Sequence, residues 1–303
     1  MQVPSEWLVP LAAVSGVCLS LIGLALRLGQ TRGVHPVHIW FFAGLMCAAA
    51  MAAMGWPVQW GSVPARVWVM GALTGLSQCA MLKIVRAALA RGSLSPVWCA
   101  IMLGLIPVLI YGMAAVGERP TALHFGAIAS ALACIVVASA GHKGDAAAPA
   151  LARARQKLIF GLLLIGLMLL NGVMGIAMKD LSSRGPGDGQ SYMSGYREVF
   201  LLVVYVCMAA GSGLQFLVKR RFGAPVRASI LLGLLAATGS VLGMVLMCIA
   251  ARAPAAVAFT TNSVSSILAA ALISALALRE KVTPTWVATV MLATLTVLLA
   301  NLG

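Results

Sequence analysis

The chain has 303 residues, 61% of them hydrophobic and only 9% charged, and its mean hydropathy is +1.01. Soluble domains carry roughly a quarter charged residues, so a water-soluble enzyme or binding module is excluded and a membrane protein is implied. The formal net charge of +14 would suggest nucleic acid in a soluble protein; here it reports topology, and no nucleic acid partner is expected.

Ten apolar spans of roughly 20 residues follow, each able to cross about 30 Å of hydrocarbon. They are 7–27, 36–56, 66–86, 94–116, 121–141, 157–178, 193–217, 228–250, 254–278 and 283–302. Backbone groups in lipid must be satisfied within the segment, so the spans are helices. The expected fold is an all-α membrane protein with ten transmembrane helices, and the lipid bilayer is its first partner.

The first span carries Ser15, Cys18 and Ser20 but no carboxylate. That argues against a proton-coupled drug exporter of the four-helix small multidrug type, which depends on a carboxylate in mid-helix. No basic stretch precedes this span and it is longer than a signal core, so no cleavable signal is expected. His35 and His38 lack cysteine or carboxylate companions and read as an interfacial helix start rather than as metal ligands. The third span holds Gly71, Gly75, Ser77 and Gln78, and the fourth holds Trp98 and Tyr111. Segment 142–156, with HKGDAAAPALARAR, reads as a linker. The sixth span carries Asn171 and closes on Lys179 and Asp180. In the seventh, Arg197 and Glu198 lie about one turn inside. The eighth repeats the small-residue spacing at Gly239 and Gly243, and the ninth opens with Thr260, Thr261, Asn262 and Ser263. Glycines four apart permit close helix approach. All seven cysteines lie inside spans without C-x-x-C spacing and read as small buried hydrophobes.

One pattern occurs twice. GERPTALHFGAIASALACIVVAS (117–139) is answered by REKVTPTWVATVMLATLTVLLA (279–300), with Glu118 and Glu280, Thr121 and Thr283, and Gly71 and Gly233 each 162 residues apart. Five spans per half is an odd number, so the second half crosses the membrane in the opposite sense and the repeats are inverted. The divisions are 1–141 and 157–303, joined by 142–156.

The runs PVLIYGMAAVGERPT (107–121) and SSILAAALISALALREKVT (265–283), each closing the fourth helix of a half, resemble the drug/metabolite transporter superfamily, EamA type. Arg279 stands where that pattern has a second glycine, and Arg27 and Lys179 match its basic closure of the first helix. The resemblance implies a ten-helix inverted-repeat secondary carrier, often an exporter of amino acids, other metabolites or drugs, working by alternating access. Many members have cytoplasmic termini. Here fifteen lysines and arginines lie on odd-numbered loops, against five on even ones, or six with Arg197. Basic residues near helix ends stay cytoplasmic, so both termini are expected outside a bacterial inner (cell) membrane.

Substrate contacts are expected from Gln78, Trp98, Tyr111, Asn171, Thr261, Asn262 and Ser263. An amide in hydrocarbon needs a partner, which either an interhelical hydrogen bond or a small-molecule substrate supplies. Gating or coupling falls to Glu118, Lys179, Arg197, Glu198 and Glu280; interfacial snorkelling and local pairing are the structural alternative for them. No G-x-x-x-x-G-K-[ST] pattern, nucleophile–base pair or metal cluster occurs, so neither ATP-driven transport nor enzymatic chemistry is expected, and no cofactor or metal. Proton or ion coupling and a homodimer stay open. The alternative function is a non-transporting accessory protein in lipid or envelope assembly.

Overall fold

A computed structural model describes residues 5–55, 60–91, 94–119, 121–140, 150–185, 191–218, 226–253, 255–277 and 283–302. Every regular element among them is helical. In chain order these are α1 (Leu8–Thr31), α2 (Pro36–Met54), α3 (Ala65–Leu89), α4 (Leu94–Met102), α5 (Leu105–Tyr111), α6 (Ala122–Ala140), α7 (Ala150–Ser183), α8 (Tyr192–Val218), α9 (Val226–Ala250), α10 (Ala255–Leu272) and α11 (Pro284–Leu302). Seven helical stretches among the described residues are long and apolar enough to cross a membrane, with α4 and α5 counting together as Pro96–Val116. The chain is thus an all-α, multi-pass membrane protein. Three shorter apolar stretches, Phe125–Val137, Val257–Leu272 and Pro284–Thr296, fall where the other three spans are expected.

Local chemistry sets several boundaries. Pro36 occupies the first turn of α2, and His35 caps it, its Nδ1 accepting the Val37 N–H at 3.2 Å. This is the interfacial helix start expected of His35. Helix α7 begins at Ala150, so the last part of the segment read as a linker is helical; ALARARQK is rich in strong helix formers. In α8, Tyr196 departs from helical geometry (φ −131°, ψ 22°), which kinks the helix just before Arg197 and Glu198.

Between α4 and α5 the hydrogen bonding tightens. Leu103 N–H still reaches Cys99 O, but Gly104 N–H turns to Ile101 O and Ile106 N–H to Leu103 O. Such a turn releases carbonyls from the regular ladder, and other groups must satisfy them. A π-helical turn, Gly112–Val116, follows α5, and a second, Ile273–Ala277, follows α10 at the corresponding place in the other half. The first ends at Gly117 (φ +83°), a left-handed residue that lets Glu118 N–H return to Gly112 O at 3.1 Å.

Packing runs mainly between the halves. Helix α1 lies against α9 and α10, α2 against α8 and α9, α3 against α7 and α8, and α4 and α5 against α7, while α6 packs chiefly on α11. The small-residue pairs serve the close approach expected of them. A Cβ at Gly71 would lie 2.9 Å from Val203 Cβ, and one at Gly75 would lie 2.8 Å from Val204 O, both on α8. Gly239 and Gly243 face α1 in the same way, at Leu21 and at the Ser15 carbonyl.

Candidate functional site

A cavity of about 110 Å³ lies inside the bundle, bounded by α1, α2, α3, α4, α5, α7, α8, α9 and α10. A single water needs only about 10–15 Å³ of such space, so the cavity has room for a small solute. Its wall is mostly apolar. Seven of the chain's sixteen methionines contribute to it: Met81, Met102, Met174, Met178, Met208, Met244 and Met247. Methionine is unbranched and polarisable, so this lining can adapt to the shape of what it holds. Among the described residues no Asp, Glu, Lys or Arg lines it.

Aromatic rings from α4 and α10 lie beside glycines of α1 and α7 at the cavity. Trp98 packs on Gly23 of α1, where a Cβ would lie 3.0 Å from the indole; a Cβ at Gly175 of α7 would lie 2.4 Å from Val108 Cγ2 of α5 and 3.4 Å from the ring of Phe259. Both aromatics line the cavity, as does Gly175.

Sequence reasoning placed seven residues in the substrate path, and the structure brings five of them together: Gln78, Trp98, Asn171, Asn262 and Ser263. Their polar atoms are not equally available. Asn171 Nδ2 donates to Ile101 O at 2.8 Å and Ser263 Oγ to Met102 O at 3.1 Å, so these two satisfy carbonyls at the tightened α4–α5 junction. Asn262 Oδ1 accepts from Ser15 Oγ at 2.9 Å, while Trp98 Nε1 donates to Ser266 Oγ at 2.9 Å. Among the described residues Gln78, 7% exposed, makes only a 3.7 Å contact from Nε2 to the weak acceptor Sδ of Met174.

Two expectations are corrected. Tyr111 does not line the cavity: it lies one turn beyond Val108, which does, and donates its hydroxyl to Asp180 Oδ1. Thr261 does not line it either. Four consecutive polar residues span more than a helical turn and point in different directions, so only Asn262 and Ser263 of that run reach the wall, and Thr260 bonds back to Val257 O at 3.1 Å. Trp40, Tyr205 and Ser240 line the cavity too, and of these sequence reasoning missed Trp40 and Ser240. Tyr205 and Ser240 hydrogen-bond to each other at 2.9 Å, and Trp40, 6% exposed, has an Nε1 with no partner among the described residues. An aromatic in an apolar run carries no signal that separates wall from core.

Beyond one end of the cavity stands an ionic cluster. Asp180, two residues past the cavity-lining Met178, is fully buried. Arg66 grips it at two points, Nε to Oδ2 at 2.6 Å and Nη2 to Oδ1 at 2.7 Å, and Arg184 Nε adds a contact at 3.1 Å. Lys179, adjacent in sequence to Asp180, turns instead to Glu118 Oε1 at 2.8 Å. Arg197 and Glu198 pair with each other. Glu280 lies outside the described residues. Every ion pair between described residues is thus at the end of the bundle where α1 begins and α7 ends. At the opposite end Gln30 Nε2 donates to Leu89 O at 3.1 Å, tying α1 to α3, and Arg27 Nη1 donates to Gln30 Oε1 at 2.6 Å.

No family model and no curated protein matches the chain. A solved structure described as "Crystal structure of protein" is similar over 96% of both chains, with a TM-score of 0.66 and 17% sequence identity, a likeness of fold alone.

Proposed function

We propose that the chain is a secondary membrane carrier that moves a small solute, most simply outward, through the central cavity by alternating access. The observation that carries this reading is the pairing of matched features around one cavity: Trp98 on Gly23 and Phe259 on Gly175, each from the corresponding helices of the two halves. A cavity walled by both halves is what two repeats rocking about a shared site require. The paired π-helical turns after α5 and α10, and the dominance of contacts between halves, support ten spans arranged as two inverted five-helix repeats of the EamA type.

The count of basic residues supports termini on the outside: six lie toward the α1-start end, Arg66, Arg119, Lys179, Arg184, Arg197 and Arg252, against fifteen toward the other. With no carboxylate on the cavity wall among the described residues, exchange or facilitated movement fits the site better than proton coupling within it. The cluster around Asp180 is then the gate at the outer end, with Lys179 and Glu118 beside it.

Untargeted metabolite analysis of the medium tests this reading, comparing cells that overproduce the parent chain with cells carrying an Asn171→Ala/Asn262→Ala variant. A solute enriched outside only with the parent supports export. Identical media point to the accessory role.

A further inference from the structure

The cavity's unsatisfied polar groups say what kind of solute it takes. Among the described residues three amides on its wall, Gln78, Asn171 and Asn262, keep a polar group under-partnered. Gln78, more than nine-tenths buried, has only the long contact to a thioether, and neither Asn171 Oδ1 nor Asn262 Nδ2 makes a hydrogen bond. A buried donor or acceptor left unmade costs about 1–3 kcal/mol, so such groups persist where something periodically satisfies them. Trp40 Nε1, also without a partner among the described residues, has no surface open to the cavity. Around these amides the surface is methionine sulfur and aromatic ring, and no charged side chain reaches it among the described residues.

From this we infer that the cavity binds an uncharged, predominantly apolar solute bearing a polar group for the Gln78 carboxamide and its neighbouring wall amides. The inference rests on the carrier reading for its biological meaning but concerns binding alone. A carboxylate, an ammonium or a zwitterion entering this wall would lose its hydration and find no counter-charge, a penalty that disfavours each of them strongly. Free amino acids are therefore not the cargo, although the resemblance noted for the sequence includes amino-acid exporters.

The test uses purified full-length protein in detergent and calorimetric titration with five probes of one ring: benzamide, benzoate, benzylammonium, phenylalanine and toluene. Benzamide is expected to bind at least about tenfold more tightly than the three charged probes. Gln78→Met is expected to weaken benzamide about 3- to 10-fold and leave toluene, which has no polar group, unchanged. Where Gln78→Met does not fold, the parent titrations still decide. Equal or tighter binding of any charged probe, failure of benzamide to bind, or an equal loss of toluene and benzamide in Gln78→Met overturns the inference. Flux of the same probes into liposomes is read separately. Benzamide binding without flux retires the carrier reading and leaves the site standing, whereas phenylalanine flux without benzamide binding does the reverse.

Discussion

Arg66, at the start of α3, and Asp180, near the end of α7, are 114 residues apart in sequence yet meet in a two-point ion pair of 2.6 and 2.7 Å. Tyr111 and Arg184 complete the shell around a carboxylate with no solvent exposure. Three helices, α3, α5 and α7, are thereby fastened at one end of the cavity by a single side chain.

Asp180→Asn removes the charge that holds two guanidinium groups. Breaking a buried pair from one side leaves uncompensated charge, and partial exposure of Arg66 softens the effect, so the expected loss is about 2–4 kcal/mol. Chemical unfolding in detergent reads it. Arg66→Lys keeps the charge but loses the fork and is expected to fall between parent and Asp180→Asn. An Asp180→Asn variant as stable as the parent would show that the cluster does not fasten the helices.

Asn171 and Asn262 are both wall amides, yet they differ in what their loss exposes. Asn171→Ala removes one of the two donors to Ile101 O, leaving the Gly104 N–H at 3.0 Å, and about 1 kcal/mol of stability is expected to go with it. Asn262→Ala leaves Ser15 with its second acceptor, Gly243 O at 2.7 Å, so the expected cost is under about 1 kcal/mol. Thermal midpoints measured side by side check the order. The reverse order would mean that the Gly104 N–H alone satisfies the carbonyl at 101.

Gly16 lets α1 lie directly on α10. A Cβ there would collide with the Asn262 carbonyl and sit 2.9 Å from Ser266 N, both backbone atoms that cannot turn aside. Gly16→Ala is expected to destabilise by about 1–3 kcal/mol and to disturb Asn262 at the cavity wall. Denaturant unfolding of the variant reads the cost, and an unchanged midpoint would contradict this packing.

Gly117 isolates a backbone effect. Its φ is +83° and nothing lies within 4 Å of an added Cβ, so Gly117→Ala is expected to cost about 1 kcal/mol from conformation alone. Gly61, equally open but without a positive φ, is the control, and Gly61→Ala is expected to change stability by less than about 0.5 kcal/mol. Equal effects of the two substitutions would argue against the left-handed closure before Glu118.

The membrane character was legible because apolar length is a one-dimensional property: the seven long helices lie where spans are expected, and the Gly71/Gly75 and Gly239/Gly243 pairs mark real helix contacts. Five wall residues were legible because an amide, hydroxyl or indole inside an apolar run demands a partner. Which partner it takes is a three-dimensional matter. Nothing in the sequence distinguishes Lys179 paired with Asp180 from Lys179 paired with Glu118, and Arg66 gave no sign of its reach to Asp180. Tyr111 reads equally as cavity wall and as donor to a carboxylate until α5 and α7 are set side by side. The methionine lining escaped notice because methionine at helical spacing is ordinary core.

The most direct test of the central claim is release from liposomes containing the purified chain and loaded with a total small-molecule extract, followed by mass spectrometry against protein-free liposomes. The carrier account predicts at least one solute released faster with the parent, with the gain lost in a Gln78→Met/Asn262→Ala variant that still folds. Release profiles that match the protein-free liposomes for every solute would contradict it.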